Sequence, residues 1–203
     1  MLSGVNSLRK LGVAPLLGKC PYHIFKRISY VSAKGSVAEA NFAEGCGWGV
    51  QRTELSAALL ECAETLPNLE IQEGASIACF LEENPEVSIK NNVFHPKLLI
   101  VADGLHLRVR KLANLEASIP KLKRWGGVRQ HFNVESWRAC VEIHWGAGLE
   151  AYVTPVSETS INVSLLWDAK RYKPEHGGKK LFCSMLNEFP ELPGLLKKRR
   201  CSG

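Results

Sequence analysis

Leu98-Leu99-Ile100-Val101-Ala102-Asp103-Gly104-Leu105-His106-Leu107-Arg108-Val109-Arg110 is the stretch on which the reading of this chain turns. It opens as a continuous apolar run, the pattern of a strand buried on both faces. Asp103-Gly104 then closes it. A carboxylate and a permissive backbone at the C-terminal edge of a buried strand stand where α/β folds place ligands. The basic helix expected over Leu105 to Leu112 offers free N–H groups to an anion, and Arg108 and Arg110 add charge-assisted donors. By itself this is also the pattern of an ordinary strand, turn and solvated helix.

Outward from that stretch the chain reads as mixed. Val5 to Leu11 has the character of the last turns of a helix, which implies an element that starts further upstream. Arg27 to Ser32 and Val37 to Phe42 alternate on either side of Ala33-Lys34-Gly35-Ser36 and predict a β-hairpin. Gly45 to Gly49 reads as a flexible connector. Thr53 is the expected N-cap of a helix with Leu55, Leu59, Cys62, Ala63 and Leu66 at helical spacing, ended by Pro67. Short strands are expected over Leu69 to Gln72, Ala75 to Leu81, Val87 to Lys90 and Lys97 to Ala102. Four antiparallel strands follow, Arg124 to Phe132, Cys140 to Trp145, Leu149 to Thr154 and Ser160 to Trp167, and then a helix from Lys179 to Glu188. The fold class expected is α+β, with two interleaved parts.

Composition narrows the functions. The chain has 203 residues, 45% apolar and 23% charged, as an ordinary globular protein does. Its net charge is +6, and the run Lys197-Lys198-Arg199-Arg200 carries most of that excess. A basic balance favours anionic partners, so a non-catalytic basic binding module is the alternative function. No nucleic-acid motif accompanies the charge, which makes nucleic acid an unlikely partner. The seven cysteines are odd in number and irregularly spaced, which fits reduced thiols and a cytoplasmic location. No apolar run reaches the roughly 18 residues of a membrane span. Cys20-Pro21-Tyr22-His23 lacks a second ligand pair, so no metal site is expected, and no G-x-S-x-G elbow is present. Trp125, Trp137, Trp145, Trp167 and Tyr152 are core residues or the lining of an aromatic pocket.

Taken together, the motifs resemble those of the FAD-dependent monooxygenase and aromatic-hydroxylase superfamily. That family has a motif of the form G-A-D-G-x-x-S-x-V-R, and Ala102, Asp103, Gly104, Val109 and Arg110 match it. Val101 stands where the family prefers Gly, and Leu107 where it prefers Ser. The segment Gly49 to Glu64 resembles the family's R-x-x-L-x-x-x-L helix, matching at Arg52, Leu55 and Leu59. The resemblance implies FAD as cofactor, NAD(P)H as cosubstrate and a small organic substrate. It implies Arg52, Asp103 and Gly104 at the FAD, and makes Glu142, His144, Trp145 and Tyr152 candidates to face the substrate. No general acid or base is assigned. It also implies a remnant of an FAD-binding domain over residues 1–25 and 49–112, a substrate-binding sheet over 26–48 and 113–175, and a C-terminal helix with a basic tail over 176–203. The sequence has neither the family's G-x-G-x-x-G loop nor its later Gly-Asp motif. The expectation is therefore a truncated form with weak or no FAD binding of its own.

Overall fold

Two neighbouring strands set the architecture through strict alternation. The computed structural model describes residues 2–75, 77–81, 86–89, 92–102, 104, 111, 113, 115, 125–170 and 178–198. The described strands are β1 (Tyr22–Phe25), β2 (Arg27–Val31), β3 (Val37–Asn41), β4 (Gly47–Val50), β5 (Ile77–Leu81), β6 (Glu86–Ile89), β7 (Asn92–Phe94), β8 (Trp125–Phe132), β9 (Val141–Trp145), β10 (Leu149–Pro155) and β11 (Ile161–Asp168). The helices are α1 (Leu2–Lys10), α2 (Ala14–Leu17), α3 (Arg52–Glu64), α4 (Gly178–Leu186) and α5 (Glu191–Lys198). This is an α+β fold. The chain divides into two compact units, Met1–Pro67 with Lys123–Gly203, and Asn68–Leu122.

The larger unit is built on a six-stranded sheet in the order β3-β2-β9-β10-β11-β8. Every pairing in it is antiparallel except β2 with β9, which is parallel. Along β10 and β11 every second residue is fully buried. Leu149, Ala151, Val153, Ile161, Val163, Leu165 and Trp167 thus present one apolar face. Helices α4 and α5 cover it with Phe182, Met185, Leu186, Phe189, Leu192 and Leu196. At roughly 1.5–3 kcal/mol for each large apolar side chain taken out of water, this layer is the principal source of the unit's stability. Trp167 belongs to that core and Trp137 packs against it.

A smaller, separate cluster forms in the same unit. Val13, Leu17 and Ala58 join α2 to α3, with Leu55, Cys62 and Trp48 packed around them. The Cys62 thiol donates to the Leu11 carbonyl at 3.2 Å, and Arg9 lies over the Trp48 ring. The helix thus buries Ala58 and half-buries Leu55 and Cys62, while Leu59 and Leu66 of the expected apolar stripe are exposed. Helix α3 also starts two residues before the expected position. Gln51 takes the extended N-cap conformation without a side-chain hydrogen bond, so Thr53 lies inside the first turn.

The hairpin of β2 and β3 forms in the expected place. Gly47 to Gly49, part of the connector expected over Gly45 to Gly49, instead belong to strand β4, which pairs with β1. Gly49 makes that possible, because a Cβ there would stand 1.8 Å from the Pro155 carbonyl oxygen. In the smaller unit β5, β6 and β7 form an antiparallel sheet, whereas residues 69–72 are not a strand. Nor do residues 97–102 form the expected buried strand. Leu98 is 76%, Ile100 79% and Val101 41% exposed. A buried strand needs hydrogen-bonding neighbours and covering layers, and among the described residues no strand pairs with this run. Asp103, and all of the basic helix expected over Leu105 to Leu112 but Lys111, lie outside the described residues.

The two kinds of glycine in this unit predict opposite outcomes for the same substitution. Gly49→Ala forces a Cβ into backbone and is expected to lower unfolding free energy by about 1–3 kcal/mol. Gly4→Ala, in α1 with nothing within 4 Å of the new Cβ, is expected to raise it by up to about 1 kcal/mol. Urea unfolding midpoints of the two variants check both signs.

Candidate functional site: the two faces of the six-stranded sheet

Cross-strand register decides which polar side chains share a surface. Tyr152 stands opposite Ser164, which stands opposite Arg129, while Thr154, Asn162 and His131 form the next row. Glu150 lies on the same face as Tyr152. These residues occupy the alternate positions left by the buried row, so they make a polar face away from α4 and α5. Arg129 and His131 are exposed, and Glu150, Tyr152, Thr154, Asn162 and Ser164 are half-buried. Toward β9 and β2 the same face turns apolar, with Phe25, Ile28, Tyr30, Val141 and Ile143 in one cluster.

The polar half is internally organised. The Tyr152 hydroxyl donates to Glu150 Oε2 at 2.9 Å, and Asn162 Nδ2 donates to Ser164 Oγ at 2.9 Å. Partial burial, followed by the adjacent Glu150 carboxylate, raises the pKa of Tyr152, so it is a neutral donor at pH 7. Asn162 Oδ1 is buried and has no hydrogen-bond partner. A buried acceptor left unpaired costs free energy, and a ligand with a donor at that point would recover it.

Glu142 and His144 lie on the other face. Their register partners are Val153 and Ala151, both core residues under the helices. The two residues are 5% and 6% exposed, with His144 Nε2 3.2 Å from Glu142 Oε2. Trp137 Nε1 donates to Glu142 Oε1 at 3.1 Å, and Arg138 Nε is 3.8 Å from the same oxygen. Arg138 also bridges to Glu39 at 2.9 Å. Burial pushes the Glu142 carboxyl up, but hydrogen bonds from His144 and Trp137 and the Arg138 charge outweigh it, and the pKa is lowered. Burial, then the Glu142 charge, raises the Cys140 thiol beside this network. An ionised carboxylate only accepts, so the shared proton belongs to His144 Nε2.

The four residues expected to face a substrate are therefore divided. Tyr152 and Trp145 lie on one face, with the Trp145 ring tilted against Tyr30 at 5.4 Å between ring centroids, and Glu142 and His144 lie on the other. Alternation alone pairs Glu142 with His144 but does not say which face is covered. Arg129, Glu150, Asn162 and Ser164 were missed. Their signal was the polar half of the alternation in β8, β10 and β11, read together with the pairing.

The residues expected at a flavin fall in different units. Arg52 is the first residue of α3 and is exposed, and among the described residues no carboxylate pairs with it. Gly104 has φ 86°, in the left-handed region, with nothing within 4 Å of where a Cβ would be. Both are sterically open to an anionic cofactor. Asp103 lies outside the described residues. Among the described residues no helix is long and apolar enough to cross a membrane.

The Glu142 carboxyl carries a pH prediction. A carboxyl held below its ordinary pKa in the folded state contributes stability that is present above the unfolded value, about 4.3. That stability is lost as pH falls through the folded value. Glu142→Gln is expected to lower the urea midpoint at pH 7 and to flatten the fall in midpoint below about pH 4.3. An acid limb with the same slope as the parent would refute the assignment.

No family model matches the chain, and no curated protein is significantly similar to it. Solved structures are similar. A flavoprotein/dehydrogenase from Cytophaga hutchinsonii superposes with TM-score 0.78 at 14% identity, over 95% of this chain and 51% of that one. PqsL, a probable FAD-dependent monooxygenase from Pseudomonas aeruginosa, gives 0.72 at 13%, over 82% and 49%. The halogenase PltM, in complex with phloroglucinol and FAD, gives 0.73 at 13%, over 87% and 42%. The chain spans about half the length of these structures or less. Over that span, it shares the fold of these flavoprotein structures.

Proposed function

We propose that this chain is the substrate-sheet portion of an FAD-dependent oxidoreductase of the monooxygenase type, acting on a small organic substrate with NAD(P)H as reductant. The observation that carries the reading is the one-sided sheet. Its far face is sealed by α4 and α5, and its near face presents Tyr152, Glu150, Asn162 and Ser164 on a fold shared with flavoproteins. FAD, when bound, supplies the redox chemistry. The chain's own residues bind and orient.

Arg52, Asp103 and Gly104 are assigned to the FAD. Arg52 offers a guanidinium to a phosphate at the start of a 13-residue helix whose first N–H groups have no side-chain cap. Gly104 admits close backbone approach. Of the four residues expected at the substrate, Tyr152 is retained, joined by Asn162, whose free Oδ1 accepts from a substrate hydroxyl or amine. Glu142 and His144 are assigned to holding β9 against the helix layer. The exposed apolar side chains of residues 98–101 favour a covering element in the working enzyme. The alternative, a basic binding module using Lys197 to Arg200, predicts nucleic-acid affinity that falls steeply with added salt.

Without a Gly-rich loop in this sequence, several backbone hydrogen bonds to charged phosphate oxygens are missing, each worth about 1.5–3 kcal/mol. The purified chain is expected to be colourless and to bind added FAD saturably but weakly in a fluorescence titration. Arg52→Ala is expected to loosen that binding about tenfold. A yellow preparation with stoichiometric FAD would contradict the weak-binding expectation, and undiminished affinity in Arg52→Ala would contradict the placement of Arg52.

The substrate face is tested separately with phloroglucinol as a phenolic probe. Asn162→Ala is expected to weaken its binding about fivefold, the equivalent of one neutral hydrogen bond. Equal affinity in parent and variant would remove Asn162 from the site.

A further inference from the structure

A single register row crosses β8, β11, β10, β9 and β2 of the larger unit's sheet. Arg129 stands opposite Ser164, Ser164 opposite Tyr152, Tyr152 opposite Ile143, and Ile143 opposite Tyr30. Opposite residues of paired strands point to the same side, so these side chains share the face away from α4 and α5. With strands about 4.8 Å apart, the row is roughly 19 Å long.

Its character changes from one end to the other. Arg129 is exposed, and among the described residues no carboxylate pairs with it. Ser164 Oγ accepts from Asn162 Nδ2 at 2.9 Å, which leaves the Ser164 O–H to donate. The Tyr152 hydroxyl is committed to Glu150, so its ring is what it adds to the row. Tyr152 and Tyr30 pack against Ile143, and Tyr30 meets the exposed Trp145 ring. Gly127, two residues before Arg129 on the same face, brings no side chain. A Cβ there would meet only Leu165 O at 3.9 Å and Leu166 Cδ2 at 4.0 Å, so the surface beside the guanidinium is open.

An exposed arginine on an edge strand is by itself a solvated cation. This one has a hydroxyl donor as its direct neighbour in the row and aromatic surface beyond that. We propose that the open face selects an amphiphilic carboxylate, held at its anionic end by Arg129 and the Ser164 hydroxyl and along its apolar body by Tyr152 and Tyr30. The proposal deepens, and rests on, the reading of this face as the substrate surface. A guanidinium and a hydroxyl both donate to a carboxylate, and the charge strengthens each bond. A cationic ligand would instead meet Arg129, with Glu150 two strands away and already accepting from Tyr152. A body reaching from β8 to the Tyr152 ring spans two strand spacings, about 10 Å.

The test is calorimetric titration of the full chain, without FAD, with three probes of one shape: 4-phenylbutyrate, 4-phenylbutanol and 4-phenylbutylamine. The carboxylate is expected to bind saturably, and the alcohol and the amine about fivefold more weakly. Arg129→Gln alters an exposed side chain and leaves the core intact. It is expected to bring the carboxylate down to the affinity of the alcohol and to leave the alcohol unchanged. Arg129→Lys is expected to restore part of the preference, because it keeps the charge but not the planar fork. Ser164→Ala is expected to weaken the carboxylate by about threefold. No saturable binding, equal binding of the three probes, or a preference that survives Arg129→Gln would overturn the proposal. An absent carboxylate preference, in a chain whose FAD affinity falls in Arg52→Ala, would remove this substrate class and leave the oxidoreductase reading standing. An Arg129-dependent preference in a chain with no FAD affinity would uphold the anion site and remove the oxidoreductase reading.

Discussion

Burial of one face of β10 and β11 under α4 and α5 is the constraint on which the rest of the larger unit depends. Side chains in a strand alternate, so committing Leu149, Ala151 and Val153 to the core turns Glu150, Tyr152 and Thr154 to the opposite surface. A one-residue slip would invert every assignment. The polar face of the sheet is thus a consequence of how its apolar face is sealed.

The parallel pairing of β2 with β9 extends that constraint to residues far apart in sequence. It places Ser29 beside Glu142 and Val31 beside His144. Glu142 is buried and ionised because the fold supplies Trp137, His144 and Arg138 around it, and Arg138 is tied in turn to Glu39 on the hairpin. A buried charge with that many partners holds register, because losing one partner leaves an uncompensated carboxylate. Ser29, fully buried next to it with an unpaired hydroxyl, is the loose end of the network.

The same pairing leaves a corner unfilled. The hairpin turn after β2, the end of β9 and the α4–α5 junction together line a cavity. His144 joins the two features. Its Nε2 belongs to the internal network with Glu142, and the residue is also among those that line the cavity.

Local chemistry in the sequence was sufficient for the β2–β3 hairpin, for α3, for the strands β8 to β11 and for the motifs that resemble a flavoprotein. Each of these rests on periodicity or turn residues within a short window. Pairing between distant segments was not legible. Gly45 to Gly49 read as a linker because a glycine-rich stretch becomes a strand only when another backbone, here β1 beside Gly47 to Val50, pairs with it. Residues 97–102 erred in the opposite sense, since an apolar run has strand propensity but no strand forms without a hydrogen-bonding neighbour. The pairing of Glu142 with His144 was implicit in their two-residue spacing. That they face the helices while Tyr152 faces outward was decided only by which side α4 and α5 cover, and a single strand's alternation is symmetric with respect to that choice.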